Sequence, residues 1–464
     1  MNFKVHVYNL LMKTRKETDA LGTVKVPANS YGGSFYERAH STFKISSLRI
    51  PHSFKVALAW IKMSAAEVNA DLGHLPKNMA KAIQTAGQEF IDGKFDEYYD
   101  LDVYQAGAGT PFNMTLNEIL ANRATELLGG KKGEYKVHPN NHVNMAQSSN
   151  DTIPTAIRLA ALLELLPLMQ NAEDLVKAFE KKAKKFEKMI KVGRTHLQDA
   201  VPVTLGQEFE AYASALERAM DRLDFAAPEL GDLGIGGTAT GSGLNTHPKF
   251  SEKMVKSLSK RMKLQLGFMN PFENSHSLGV FVSVSGCLRA LSIELLRICS
   301  DLRLMVSGPE AGFNEIHLPE VEPGSSIMPG KVNPSVLECV SMIAVQVQAL
   351  DQAIAFSATQ GQLELNWYTP LVGWDLLHQI QILSNGMTLL RKDCVEGIEA
   401  NEAHMKEVLG RSFAMATALA PHLGYHAVAE MVNTAKRTKT PFVKLVKKEH
   451  EKYLKLDELT RPNL

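Results

Sequence analysis

The chain has 464 residues, 45% of them hydrophobic, and its 51 Lys and Arg nearly balance its 50 Asp and Glu. A formal net charge of +1 gives no basis for binding nucleic acid or an anionic membrane surface, so neither is expected as a partner. The four cysteines are dispersed in apolar sequence, which argues against an iron–sulfur cluster and favours buried thiols in the cytoplasm. We expect no apolar run of membrane-spanning length, and we expect residues 1–11 to be an extension outside the fold.

The first third of the chain has a mixed pattern. Leu21–Pro27 predicts a short extended strand that ends at proline. Apolar residues recur at helical spacing over Phe54–Leu72 and again over Asn78–Ile91. Residues 1–145 are therefore predicted to form a small mixed N-terminal domain.

Long helical patterns follow one another through the centre of the chain. A helix of thirty residues spans about 45 Å, so helices of this length can only pack side by side in a long bundle. Several are apolar on more than one face, which predicts both an internal bundle core and a bundle that continues into other subunits. The predicted helices are Thr155–Ile190, Leu205–Leu223, Ser277–Val306, Ser335–Thr359 and Thr369–Leu390.

The chain becomes more polar from residue 401 onward, and its helical segments shorten. We therefore predict a central helical bundle over residues 146–400 and a small helical C-terminal domain over residues 401–464. The predicted fold class is mainly α.

Polar and glycine-rich segments interrupt these helices. Gly107–Thr110 allows a ligand to approach the backbone closely, and Thr110 can donate a hydrogen bond. Ser148–Asn150 precedes a helix and can present hydroxyl, amide and backbone N–H groups to an anion. The glycine-rich segment 236–246 lacks the lysine of a phosphate-binding loop and does not open a dinucleotide-binding unit, so nucleotide binding is rejected.

The segment Gly324–Pro334 has the sequence GSSIMPGKVNP, and its glycines and prolines exclude a regular helix or strand. It offers hydroxyls, the cation of Lys331 and the amide of Asn333, with no carboxylate before Glu338. Donors and a cation beside a small group able to act as a base are what a site for a dianionic substrate needs.

This loop resembles the GSSxMPxKxNP signature of the aspartase/fumarase superfamily. Further matches at Gly107–Thr110, His138–Asp151, Gly193–Ala200 and Gly236–Thr246 extend the resemblance over nearly the whole chain from Arg15. It implies a fumarase/aspartase-like fold and a homotetramer whose active sites draw residues from three subunits. It also implies a small dicarboxylate substrate and a reaction that needs no metal or organic cofactor.

The resemblance further implies roles for individual residues. Ser325 corresponds to the base of a reversible anti-elimination that forms fumarate, and Lys331 and Asn333 hold the carboxylate that gains charge. Glu338 matches an acidic residue that orients His196. The residues implied to bind substrate are Thr110, Ser148, Ser149, Asn150, Thr195 and Ser326.

A second anion site is implied at His138 and Asn140. In the family this site includes an arginine and an acidic residue, and here Tyr135 and Asn141 stand in their places. We therefore expect the second site to be weak.

Two reactions compete for this scaffold. Fumarate hydratase, an enzyme of the tricarboxylic acid cycle, is preferred because Asn117–Ala124, His138–Pro139 and Ser148–Asn150 resemble fumarases. Aspartate ammonia-lyase is the alternative, since Gly107–Thr110 and Gly361–Asn366 resemble aspartases. A non-catalytic structural protein on a lyase scaffold is the alternative of another class, and it is disfavoured because Ser325, Lys331 and His196 are all present.

Overall fold

The computed structural model describes residues 13–455 and Thr460, so the expectation for residues 1–11 lies outside the described residues. The described chain opens with an antiparallel hairpin of strands β1 (Thr14–Asp19) and β2 (Gly22–Pro27). Strand β2 confirms the strand predicted at Leu21–Pro27, and its partner β1 was not predicted. Gly22, with φ of 109°, supplies the left-handed backbone needed where the hairpin reverses.

The chain divides into two compact units. The first consists of the residues up to Pro167 together with Leu223–Arg289 and Val347–Gln381. Aromatic side chains fill part of its core, where the rings of Phe54 and Phe112 are 5.5 Å apart. The shorter helices of this unit are α1 (Ser34–Thr42), α2 (His52–Asp71), α3 (Lys77–Ile91), α4 (Thr110–Leu127), α7 (Phe250–Met262) and α8 (Pro271–His276).

The second unit consists of Leu168–Arg222, Ala290–Gln346 and the residues from Ile382 onward. It contains the hairpin of β3 (Ile190–Thr195) and β4 (Gln198–Thr204). Buried side chains of β3 pack in one cluster with residues of the C-terminal helices, which fixes the base of this hairpin. Those helices are α12 (Glu402–Arg411), α13 (Ala416–Leu423), α14 (Tyr425–Thr438) and α15 (Phe442–Leu445).

The five long helices confirm the central helical prediction with small shifts of their ends. Ser149 begins the first of them six residues before the predicted start, because Pro154 is accommodated inside the helix. The observed helices are α5 (Ser149–Lys185), α6 (Leu205–Ala226), α9 (Gly279–Met305), α10 (Ser335–Ala358) and α11 (Thr369–Asp393).

Two minor strand pairs are also present: β5 (Asp232–Leu233) with β6 (Gly267–Phe268), and β7 (Ile316–His317) with β8 (Glu399–Ala400). The mainly α fold is as predicted. The division into domains at residues 145 and 400 stays a prediction.

Three helices of the described chain are long and apolar enough to cross a membrane by length and composition: α5, α9 and α10. The expectation that no apolar run reaches that length is therefore wrong. A helix packed on several sides by protein needs much the same apolar composition as one surrounded by lipid, so composition alone does not separate the two. The buried share of the most apolar window is 67% in α5 and 33% in α10.

Candidate active site

The first unit brings Thr110 and Ser149 together, with 3.1 Å between the two hydroxyl oxygens. Thr110 begins α4, and Gly109 before it has φ of 66°, a left-handed conformation that places the threonine at the helix start. The preceding residue is held as well, because the Ala108 N–H donates to the Trp367 carbonyl at 2.8 Å. Two predicted substrate-binding residues thus share one site of fixed backbone.

Ser148 and Asn150 lie at the start of α5, where both are half-buried. The Ser148 Oγ accepts a hydrogen bond from the Asn150 N–H at 3.2 Å, which is the capping contact predicted for this segment. The Asn150 Nδ2 donates to the Ala239 carbonyl at 2.7 Å. The helix start and the glycine-rich segment 236–246 are therefore in direct contact.

Asp151, which the sequence reasoning left without a role, lies directly beneath this contact and is 1% exposed. Its Oδ1 accepts from the Ser148 N–H at 2.9 Å, and its Oδ2 accepts from the N–H groups of Gly236 at 3.1 Å and Thr238 at 2.9 Å. Burial raises the pKa of Asp151 to about 6, against the lowering effects of these backbone donors and of Lys62. One carboxylate thus joins the helix start to the glycine-rich loop.

Lys62 is a second buried charged residue that sequence reasoning missed. Its side chain is fully buried in α2, and its Nζ donates to Asn144 Oδ1 and Gln147 Oε1, both at 2.9 Å. Burial lowers the pKa of Lys62 to about 7, and the charge of Asp151 raises it in part. In the sequence Lys62 stands among apolar residues of α2, and nothing in its neighbourhood signals a partner more than eighty residues away.

The turn at His138 organises its own backbone. The His138 Nδ1 accepts from the N–H groups of Asn140 at 3.1 Å and Asn141 at 3.2 Å. The Tyr135 hydroxyl is engaged with Glu17 Oε2 at 2.6 Å. Two backbone donors of the predicted second anion site are therefore bonded to the histidine ring within the turn.

In the second unit, Thr195 and His196 lie at the tip of the β3–β4 hairpin. Thr195 pairs with Gln198, so His196 and Leu197 are the two central residues of a tight turn, with φ of 54° and 59°. Positive φ at both positions is the geometry of a type I′ hairpin turn, which usually requires Asn or Gly. The histidine therefore lies in a strained turn between two strands.

A buried charge network supports the same hairpin. The Lys191 Nζ lies 2.8 Å from Glu208 and 2.6 Å from Glu315, and Arg194 Nη1 donates to the other oxygen of Glu315 at 2.6 Å. Burial raises the pKa of Glu208, and the Lys191 charge lowers it in part. Strand β3, which leads to His196, is thus anchored by the ion pairs of Lys191 and Arg194.

The loop Gly324–Pro334 is irregular, as predicted, and Ser325 is its most organised polar group. The Ser325 Oγ accepts from the N–H groups of Ile327 at 3.2 Å and Met328 at 3.0 Å. The Asn333 Nδ2 donates to the Gly324 carbonyl at 2.6 Å and closes the base of the loop. These contacts hold the Ser325 oxygen against two fixed donors.

The remaining residues predicted around this loop are exposed in the single chain: Ser326, Lys331 and Glu338. Lys331, Asn333 and Glu338 line one cavity of about 810 Å³. The second unit therefore brings together the predicted carboxylate-binding residues and the predicted partner of the histidine.

Left-handed backbone is concentrated in the predicted site segments. Among the described residues, eleven non-glycine residues have positive φ, and six of them belong to or adjoin these segments: Ala108, Ala146, His196, Leu197, Thr238 and Asn245. Such conformations cost free energy and persist where the surrounding structure enforces them, often at functional sites. Left-handed backbone and the predicted substrate-binding side chains therefore occur in the same segments.

The chain resembles known lyases over most of its length. A family profile described as lyase matches residues 22–349. The chain is 44% identical over 425 residues to fumarate hydratase class II 2 of Bradyrhizobium diazoefficiens, covering 91% of this chain and 90% of that protein. It is also 44% identical over 441 residues to aspartate ammonia-lyase of Pseudomonas aeruginosa, covering 94% of this chain and 93% of that protein.

A solved structure of a fumarate lyase:delta crystallin from Brucella melitensis superposes with a TM-score of 0.93 at 40% identity. The match covers 97% of this chain and all of that one. The fold and the family match therefore identify the chain as a lyase. It belongs to the lyase family that includes class II fumarases and aspartate ammonia-lyases.

Proposed function

We propose that the protein is a fumarate hydratase that interconverts L-malate with fumarate and water. The observation that carries the proposal is the Ser325 hydroxyl oxygen, which accepts from two backbone N–H groups at 3.0 and 3.2 Å in the loop matching the family signature. A serine acts as a base only when its oxyanion is stabilised, and fixed donors supply that stabilisation without reorganisation.

In the proposed reaction, the Ser325 alkoxide takes a proton from the carbon next to a carboxylate of malate. The electron pair moves into that carboxylate, where Lys331 and the remaining amide N–H of Asn333 balance the added charge. The C–O bond of the neighbouring carbon then breaks, and the hydroxyl leaves as water with a proton supplied by the His196 imidazole. Glu338 orients His196, while Ser326 and the Thr110, Thr195 and Ser148–Asn150 groups hold the rest of the substrate.

We propose a homotetramer in the cytoplasm, with each active site shared between chains. Helix α10 supports this assembly because its apolar surface is largely uncovered: Met342 is 67% exposed, Val345 57% and Phe356 72%. A patch of this kind on a long helix is suited to packing against further copies of the same helix. Further copies, and not lipid, are the proposed cover for these apolar faces.

The leaving group is tested directly by supplying L-malate and L-aspartate separately. Fumarate is followed by its ultraviolet absorbance, and ammonia is assayed in parallel. Fast fumarate formation from malate with aspartate inert is the expected result. Ammonia release from aspartate with malate inert supports the second candidate, aspartate ammonia-lyase, which the relative in Pseudomonas aeruginosa favours at equal identity. Inactivity towards both substrates supports the non-catalytic alternative.

A further inference from the structure

A single buried carboxylate, Asp151, connects the proposed substrate-binding segment Ser148–Asn150 with the glycine-rich loop. The two oxygens of Asp151 accept three backbone N–H groups, one from Ser148 at the start of α5 and two from the glycine-rich loop, at Gly236 and Thr238. All three bonds are between 2.9 and 3.1 Å long. Asp151 is too buried to contact a substrate itself, so any effect on the reaction acts through these segments.

The glycine-rich loop needs such a restraint. Thr238 has φ of 57° and Gly236 has φ of 93°, and a Cβ added at Gly236 would lie 2.2 Å from the Ser251 Oγ. Left-handed backbone at a β-branched residue is unfavourable without enforcement by its surroundings. Two hydrogen bonds to one ionised oxygen provide that enforcement, and the buried N–H groups would lose their acceptor without it.

The second half of the network is cationic. Lys62 donates to Asn144 and Gln147, the residues that fold the turn leading into Ser148. Asn144 continues the network, because its Oδ1 also accepts from Asn113 Nδ2 at 3.2 Å. The Lys62 charge favours the ionised form of Asp151, and the Asp151 charge favours ionised Lys62. The turn before Ser148 and the glycine-rich loop are thus held by two buried residues of opposite charge, Lys62 and Asp151.

We propose that Asp151, with Lys62 as its counter-charge, is a positioning residue that holds Ser148–Asn150 and the glycine-rich loop in the geometry that binds the dicarboxylate. This inference rests on the proposed function, since it takes Ser148–Asn150 to be substrate-binding. On this proposal, the hydrogen bonds that Asp151 accepts contribute to substrate affinity. A buried carboxylate without this role would contribute only to the stability of the fold.

The test compares Asp151→Ala, Asp151→Asn and Lys62→Met with the parent chain. Asp375→Asn is the matched control, because Asp375 is another buried carboxylate of the first unit and its Oδ2 has no hydrogen-bond partner. Two quantities are measured: the dissociation constant of fumarate by calorimetry, and amide hydrogen exchange in peptides covering residues 236–246. Fumarate is the product of both candidate reactions. Every chain used in the calorimetry also carries Ser325→Ala, because a hydratase would otherwise add water to fumarate during the measurement.

We expect Asp151→Ala to weaken fumarate binding by about tenfold to a hundredfold, as for misplaced binding groups, and to speed exchange at residues 236–246. Asp151→Asn should lie between Ala and the parent, since its amide oxygen retains an acceptor for part of the network. Lys62→Met should weaken binding in the same direction. The KM of the active substrate should rise more than kcat falls, because the Ser325 loop is untouched.

The inference is overturned if Asp151→Ala binds fumarate as the parent does, or loses no more affinity than Asp375→Asn. If Asp151→Ala does not fold, the Asp151→Asn chain decides the same comparison. Failure of the proposed function has a different signature: the parent chain would form no fumarate from malate, or would not bind fumarate at all.

Discussion

Ser325 is the residue on which the proposed chemistry depends. Replacing it in Ser325→Ala removes the oxygen that faces the Ile327 and Met328 N–H groups, while the Asn333 contact that closes the loop remains. We expect turnover of malate to fall by about a thousandfold, the scale of general base catalysis, with the fold unchanged. Ultraviolet absorbance of fumarate measures the loss. Ser41→Ala, at an exposed serine of α1, is the control and should retain parental activity.

If the Ser325→Ala chain kept a tenth of the parental rate, Ser325 would not be the base. Circular dichroism and sedimentation of both serine variants separate a chemical loss from a folding defect.

His138 leads to a contrasting expectation. Its Nδ1 accepts from two backbone N–H groups of its own turn, and an asparagine oxygen can take over at least one of these bonds. We therefore expect His138→Asn to leave malate turnover within about threefold of the parent, since the variant retains the capping contact that accounts for most of the residue's role. Steady-state kinetics at several malate concentrations give the measurement. A hundredfold loss would show that the turn takes part in substrate binding.

At the scale of single residues, the sequence predicted which side-chain types surround the site but not what holds them. Thr110 and Ser149 could be selected because each stands in a glycine-rich or capping motif. Asp151 and Lys62 were not predicted because their hydrogen-bond partners are distant in sequence or are backbone N–H groups. A buried lysine and an exposed lysine look alike in a hydropathy pattern, so the pattern does not show that Lys62 is buried.

The β3–β4 hairpin illustrates the cost of placing His196 at its tip. Leu197 is 60% exposed and has φ of 59°, so its side chain contributes little burial while its backbone is strained. Leu197→Gly should stabilise the folded chain by about 1 kcal/mol, the penalty of left-handed backbone for an L-residue. Leu197→Ala removes the same side chain without relieving that penalty, and it should show no gain. Urea unfolding of the two variants checks the difference, and equal midpoints would contradict it.

Helix α4 carries a buried carboxylate that couples stability to pH. Glu118 accepts from the N–H groups of Gly33, Phe35 and Tyr36, and burial raises its pKa to about 7 against the opposing effect of these donors. The folded chain therefore binds the Glu118 proton more tightly than the unfolded chain does. Its contribution to stability is complete below the ordinary pKa of 4.5 and is lost as the pH rises through 7.

Glu118→Gln should remove this pH dependence. The free energy of unfolding of the parent should fall between pH 5 and 7 more steeply than that of the variant, by at most about 1.4 kcal/mol per pH unit for one proton. Parallel slopes in urea titrations across this range would contradict the assignment.

Elements differed in how well the sequence predicted them. The long helices could be placed within a few residues because an apolar stripe repeated over twenty or more positions leaves little ambiguity. Strands β3 and β4 were missed because the tight turn at His196 and Leu197 contains neither glycine nor asparagine, the usual signals of a two-residue hairpin. The start of α5 was placed too late, because Ser148 and Asp151 hold the helix start ahead of Pro154.

At the scale of the whole molecule, the proposed assembly explains two otherwise separate observations. The predicted catalytic groups Lys331 and His196 are exposed in the single chain, and the long helix α10 leaves most of its apolar window uncovered. Both would be resolved if other copies of the chain cover α10 and complete each site. Sedimentation should therefore show a tetramer, and a fully active monomer would refute the assembly.

Subunit mixing tests whether one site uses more than one chain. Ser325→Ala and His196→Ala chains should each be nearly inactive alone, since each lacks one required group. If a site takes Ser325 from one chain and His196 from another, random exchange between equal amounts should restore about a quarter of the parental activity, because both contributing chains are intact at that frequency. If both groups came from the same chain, every site would lack one of them and the mixture would stay inactive. Exchange itself is verified with differently tagged chains, so an inactive mixture of confirmed hybrids would show that the sites are not shared.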